Sequence, residues 1–238
     1  MNRIVIAGGS VSLLVVPDGA ARGAGSYGEV LPSLLPGHDV VVRHTGQWFD
    51  LVSDLRRRYE HGVRNHFPDV LVLNYGMGEA QPNVVPTFAA RHFQSWDRSS
   101  HPAALWYRTQ VAPPVWKRLR EVQRRTSHLP TYRLSPERYT TELRKVVTMA
   151  RDETGCLVLL LDLDPPGERW LHWVPAMAER HRLFQDAQDA FVSELGDPDV
   201  RAVRPPLVHL PDGIHRDAEG HRLTAEALAK EVGPWLAR

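Results

Sequence analysis

The sequence predicts an α/β protein: a three-layer α/β/α sandwich around a five-stranded parallel sheet. Three observations carry that expectation. Short runs rich in Val, Ile and Leu recur with little polar alternation, as in strands covered on both faces. Amphipathic stretches of helical period separate them, giving a βαβαβ order. The chain has 238 residues and is 42% hydrophobic, ample to bury one large core.

The expected strands run from Ile4 to Ala7, Asp39 to Val42, Val70 to Leu73 and Leu157 to Leu161, with a weaker fifth from Leu207 to Leu210 ahead of Pro211. A short helix is expected from Tyr27 to Leu35, closed by Pro36-Gly37. Phe49, Val52, Leu55 and Tyr59 mark one face of a second helix that ends before Pro68. A third starts at Pro136, with Ser135 as N-cap, and turns Leu143, Val146, Val147 and Ala150 inward. A fourth runs from Met177 to Leu195 and stops at Gly196. Asp217 caps a fifth, which runs through Leu223, Ala227 and Leu228 towards Trp235.

One segment breaks the alternation. Gln81 to Leu134 holds many prolines, Trp96, Trp106 and Trp116, and a basic run from Lys117 to Arg125. It is too long for a plain loop, so it is expected to hold helices of its own. It follows the third strand, on the side where such sheets bind ligands. Within a single domain spanning 1–238 it reads as a lid or substrate cap over 81–134, or as an extra packing layer.

Composition removes several function classes. Lys plus Arg is 29 against 28 for Asp plus Glu, a net charge of +1. That balance gives no global attraction to nucleic acid or anionic lipid, and the expected partner is a small molecule. Cys156 stands alone, so no internal disulfide and no Cys-based zinc cluster can form. The 12 histidines include no His-Glu-x-x-His pair, and no metal is expected. The apolar N-terminal run is too short for a secretory signal, and no run is long enough to cross a membrane, so a cytoplasmic protein is expected. Gly23-Ala-Gly-Ser-Tyr-Gly28 matches a dinucleotide-binding pattern, but the turn-rich Pro17 to Arg22 parts it from any strand. No cofactor is therefore expected, with the dinucleotide reading kept as an alternative.

Two blocks point to chemistry. The first strand ends in Gly8-Gly9-Ser10, which presents a serine at the carboxyl edge of the sheet. Near the C-terminus, Asp212-Gly-Ile-His215 leads into the last helix. A carboxylate three residues before a histidine can bond one imidazole nitrogen and leave the other for a serine hydroxyl.

With these blocks in hand, the sequence resembles the SGNH hydrolase (GDSL esterase/lipase) superfamily, which has a flavodoxin-like fold. The resemblance rests on four ordered blocks: Gly8-Gly9-Ser10, Gly46 after the second strand, Gly76-Met77-Gly78-Glu79 after the third, and Asp212-Gly213-Ile214-His215. It implies acyl ester hydrolysis, of esterase or deacetylase type, through an acyl-Ser10 intermediate. Ser10 would be the nucleophile, His215 the base and Asp212 its orienter, with the backbone N–H groups of Ser10 and Gly46 in the oxyanion hole. Two departures stand out. Gly9 replaces the acid before the serine, and Gly78 stands where the family carries its oxyanion asparagine. Asn74, Gln81 and Asn83 are candidate replacement donors, and Glu79 either binds substrate or bonds nearby backbone amides. An acyltransferase with the same residues and a catalytically silent binding protein are the alternatives.

Overall fold

The computed structural model describes residues 1–12, 25–47, 50–82, 102–126, 132–208 and 210–238. Strands β1 (Asn2–Gly8), β2 (Val40–His44), β3 (Val70–Asn74), β4 (Leu157–Leu161) and β5 (Val200–Val203) form one all-parallel sheet in the order β2-β1-β3-β4-β5. Ile4 lies opposite Val42 on one side and Val70 on the other, and Leu71 opposite Val158.

Alternate residues feed two cores, because successive side chains of a strand point to opposite faces. Val5, Leu71, Leu73, Val158 and Leu160 meet Leu55 of α2 (Val52–Arg57), Leu143 and Val146 of α7 (Pro136–Thr154), and Phe184 and Phe191 of α9 (Met177–Leu195). Ile4, Ile6, Val70, Val72 and Leu159 meet Tyr27 of α1 (Tyr27–Val30), Leu31, and Leu228 and Val232 of α10 (Ala218–Leu236). This is the three-layer sandwich that the sequence predicts. The helix starts follow their expected caps: Ser135 Oγ accepts from Arg138 N at 3.4 Å, and Asp217 Oδ1 from Gly220 N at 2.8 Å.

Three expectations need correction. The fifth strand is Val200–Val203, not Leu207 to Leu210. Pro205, Pro206 and Pro211 bound the later run closely on both sides, and Leu207 is 77% exposed. β5 lies at the sheet edge, where Arg201 can face outward and pair with Glu231 at 2.8 Å. The single helix drawn from Phe49 towards Pro68 is broken at Arg58 (φ −109°, ψ 23°) into α2 and α3 (Tyr59–Gly62), followed by a 3₁₀ turn over Arg64–His66. A short helix after β4, α8 (Glu168–Trp173), was not foreseen.

After α4 (Met77–Ala80), the segment 81–134 carries helices among its described residues: α5 (Pro102–Trp106) and α6 (Ala112–Thr126), with a π-type turn over Tyr107–Val111. Pro82 and Tyr132 pair across an antiparallel bridge, and α6 packs against α8. Gly23, Phe49, Asn83 and Trp96 lie outside the described residues. Among the described residues no helix is long and apolar enough to cross a membrane.

Candidate active site

The strand order reverses between β1 and β3, so the connections from these neighbours leave towards opposite edges and open a crevice at their carboxyl ends. Ser10 sits there in a 3₁₀ turn directly after β1. Ser12 holds the turn, donating from its N–H (3.2 Å) and its hydroxyl (2.7 Å) to Gly9 O. Gly46 lies behind it: a Cβ there would come within 2.4 Å of Gly8 O, so β1 and the turn after β2 approach only because this residue has no side chain.

The partner loop comes from the far end of the chain. Gly213 has φ +90°, and a Cβ would meet Trp170 N of α8 at 2.6 Å, so glycine is needed on both counts. That turn lets Asp212 Oδ1 accept from Ile214 N (2.9 Å) and His215 N (2.8 Å). Its other oxygen, Oδ2, accepts from His215 Nδ1–H at 2.6 Å. With that proton on Nδ1, His215 Nε2 is left to accept from the Ser10 hydroxyl at 3.0 Å. Partial burial would raise the Asp212 carboxyl. The bonds and charge of His215, with the Ile214 amide, outweigh it and hold the pKa at about 2. Asp212 is therefore an anion beside the imidazole.

The next two residues pin the loop. Arg216 Nε donates to Asp164 Oδ2 at 2.7 Å, Nη2 to Asp164 Oδ1, and Nη1 to Gly220 O at 3.2 Å. Both members of the pair are buried. Asp217 then caps α10. Asp164 follows β4, so this pair ties the histidine loop to the carboxyl end of that strand.

Ser10 lines a cleft open to solvent, together with Asn74, Gly78, Glu79, Gln81 and Ile214. Asn74 reaches Tyr27 Oη only weakly, at 3.5 Å. Gly46 is not among the lining residues; it packs against Gly8 instead. Glu79 is fully buried, and its two oxygens accept from Val52 N (2.7 Å) and Gly76 N (2.8 Å). Burial lifts its pKa to about 7, against the pull of those amides. Asp50 also reaches the wall, where its carboxylate takes bonds from Arg58 and from Tyr75 Oη (2.7 Å). Among the described residues no group of three or more His, Cys, Asp or Glu is placed to hold a metal ion.

Four residues of this region escaped the sequence reading: Asp50, Arg133, Asp164 and Arg216. Two had a local signal. Asp164 stands in Leu161-Asp-Leu-Asp-Pro, an acid at a strand exit, and Arg216 directly follows His215. Asp50 and Arg133 had none, since only the folded chain brings them to the cleft.

No family model matches the sequence, and no curated protein does. Solved structures match over nearly the whole chain. A putative lipolytic protein of the G-D-S-L family from Desulfitobacterium hafniense is 12% identical (TM-score 0.61), covering 97% of this chain and 99% of that one. The aryl esterase of M. smegmatis is 14% identical (TM-score 0.60), covering 99% and 100%. An acetylxylan esterase from Geobacillus stearothermophilus is 15% identical (TM-score 0.56), covering 98% and 94%. At such identities the likeness speaks for architecture, and by its architecture this chain has the fold of the SGNH (GDSL) hydrolases.

Proposed function

We propose that this chain is a divergent SGNH hydrolase that cleaves acyl esters through an acyl-Ser10 intermediate, with water as the acceptor. The observation that supports this most is the unbroken hydrogen-bonded series from Asp212 through His215 to Ser10, opening on a cleft. In the first half-reaction Ser10 Oγ attacks the ester carbonyl while His215 Nε2 takes its proton. The Asp212 carboxylate stabilises the imidazolium and fixes its tautomer. Collapse of the tetrahedral intermediate expels the alcohol, which receives the proton from His215. Water then attacks the acyl-enzyme with the same base, and the acid and free Ser10 are released.

The developing oxyanion needs donors. In this reading the Ser10 backbone N–H supplies one and the Asn74 or Gln81 side-chain amide supplies another, in place of the asparagine that Gly78 replaces. The segment from 81 to 134 serves as a cap: its two ends, Gln81 and Arg133, line the cleft, and α6 packs on α8 beside the Gly213 turn. A fluorophosphonate probe should label Ser10 in the purified protein. Hydrolysis of activated aryl esters should fall to background in Ser10→Ala and in His215→Ala. Absent labelling, with wild-type hydrolysis equal to that of Ser10→Ala, replaces this reading with that of a silent binding protein.

A further inference from the structure

Tyr27 stands behind the cleft wall, yet its side chain reaches two residues that shape the site. It is fully buried at the start of α1. Its N–H donates to His221 Nδ1 of α10 at 3.2 Å, and its ring stacks on that imidazole with centroids 5.6 Å apart. These contacts fix where the phenol points. Tyr27 Oη meets Asn74 Nδ2 at 3.5 Å and also bonds the Ser12 side chain. Gly8 leaves them room: a Cβ there would lie 3.0 Å from both Asn74 Cβ and Ser12 Oγ.

The direction of each bond follows from what its neighbour has already given. Ser12 donates its hydroxyl proton to Gly9 O at 2.7 Å, so towards Tyr27 the Ser12 oxygen only accepts. Burial pushes the phenol's pKa up, so Tyr27 keeps its proton and gives it to Ser12 Oγ. Tyr27 Oη then faces Asn74 with lone pairs alone. The amide carbonyl would be repelled there, so Asn74 turns an N–H towards the phenol. One series of donors runs from Asn74 Nδ2 through Tyr27 Oη and Ser12 Oγ to Gly9 O, the carbonyl next to the nucleophile. The second N–H of the Asn74 amide is left for the cleft that Asn74 lines.

Building on the acyl-Ser10 reading, we propose that Tyr27 is a positioning residue: its hydroxyl, tied through Ser12 to the Ser10 turn, holds the Asn74 amide as the oxyanion donor that stands in for the missing asparagine. This selects Asn74 over Gln81. The 3.5 Å bond is long in the empty cleft, as catalytic hydrogen bonds often are before the reacting charge draws them tight.

The test uses Tyr27→Phe, which keeps the ring and its stacking and removes the oxygen. With phenyl acetate, Asn74→Ala should lower kcat about a hundredfold, as loss of one oxyanion donor does. Tyr27→Phe should lower kcat about tenfold with KM nearly unchanged, because a mis-aimed donor is felt in the transition state. Tyr27→Phe combined with Asn74→Ala should lose no more than Asn74→Ala alone, since Tyr27 acts through Asn74. Losses that multiply mean a merely structural Tyr27 and overturn the proposal, as does an unchanged kcat in Tyr27→Phe. A second measurement needs no turnover. In NMR spectra of ¹⁵N-labelled Ser10→Ala, the side-chain amide pair that vanishes on adding Asn74→Ala should shift on adding Tyr27→Phe. Ser12→Ala breaks the series from its other end, releasing the phenol proton towards Asn74, and should shift the same pair. A pair unmoved by both substitutions overturns the proposal whatever the kinetics of the acyl-enzyme. Hydrolysis that never depended on Ser10, together with a shifted pair, overturns the acyl-enzyme reading and leaves the hold of Tyr27 on Asn74 standing.

Discussion

Glu79, after β3, and Asp212, before α10, flank one cleft and make the same local bonds, yet they hold opposite charge tendencies. Each carboxylate accepts two backbone N–H groups. Glu79 rises to about 7 and Asp212 falls to about 2. Two differences separate them. Glu79 is sealed from water, whereas the Asp212 side chain is 34% exposed. Asp212 also has the imidazole of His215 at 2.6 Å, a donor whose positive charge its own charge can stabilise. Backbone amides alone, then, do not decide whether a carboxylate is an anion; access to water and a hydrogen-bond donor that can carry positive charge do.

The largest expected effect removes the charge from Asp212. Asp212→Asn keeps the shape but presents an amide N–H to His215, favouring the wrong tautomer, and kcat should fall by about a thousandfold or more. A loss under tenfold in ester hydrolysis would break the contrast, because Asp212 would then act as Glu79 does, by structure alone. Next in size is the pair that carries the loop. Asp164→Asn leaves Arg216 buried beside a neutral amide, and thermal or denaturant unfolding should show about 3–5 kcal/mol lost. At temperatures where that variant stays folded, kcat should still drop, because the Ser10–His215 distance is no longer held.

Glu79→Gln gives a smaller effect. One backbone N–H would face the new NH₂, costing roughly 1–3 kcal/mol. The contrast is sharper in pH dependence. A carboxyl raised from its ordinary 4.5 to about 7 contributes stability that is full below 4.5 and is lost as pH climbs to about 7. Asp212, lowered from 3.8 to about 2, contributes stability above 3.8 that disappears as pH falls through about 2. Unfolding curves from pH 4.5 to 7 should therefore slope downward in wild type, by at most about 1.4 kcal/mol per unit from this group, and lose that component in Glu79→Gln. Equal slopes would mean that Glu79 titrates normally.

The smallest change is expected from Gly78→Asn. Among the described residues a Cβ there meets only Asp50 O and Leu51 Cδ2, both at 3.6 Å, so the backbone accepts a side chain. Stability should stay within about 0.5 kcal/mol. Turnover should rise by up to about tenfold, as a further donor joins the oxyanion hole on the wall beside Glu79. Unaltered turnover would mean that position 78 does not face the reacting carbonyl.

The sequence was most readable where local rules and tertiary demands agree. The buried strands, the Ser135 and Asp217 caps and the Gly196 stop are local signals. The Asp212–His215 turn is legible because three residues fix its geometry whatever surrounds it. The edge strand was not legible: Arg201 interrupts its apolar pattern, and only the sheet's edge makes an arginine tolerable there. Leu207 to Leu210 has the more apolar pattern, yet prolines flank it on both sides and Leu207 is left exposed. Helix α2 was drawn too long because its periodic face continues through Tyr59, while the chain bends at Arg58 to reach Asp50. Asp50 and Arg133 belong to the cleft through contacts across long stretches of chain, which no spacing encodes. The Asp164–Arg216 pair spans 52 positions in the same way.

Pro82 and Tyr132 stand side by side across their bridge, so the chain between them begins and ends at one doorway. Such a segment is a cassette. Its length enters the folding free energy through a logarithm, about 0.6 kcal/mol for each doubling. The chain between those two residues can therefore be lengthened, trimmed or traded while the sheet order and the approach of His215 to Ser10 keep their own supports. Arg133, just inside the doorway, belongs to the body and would stay. If the segment is the cap proposed above, exchanging this one insert would change the range of substrates and leave Ser10 and His215 in place.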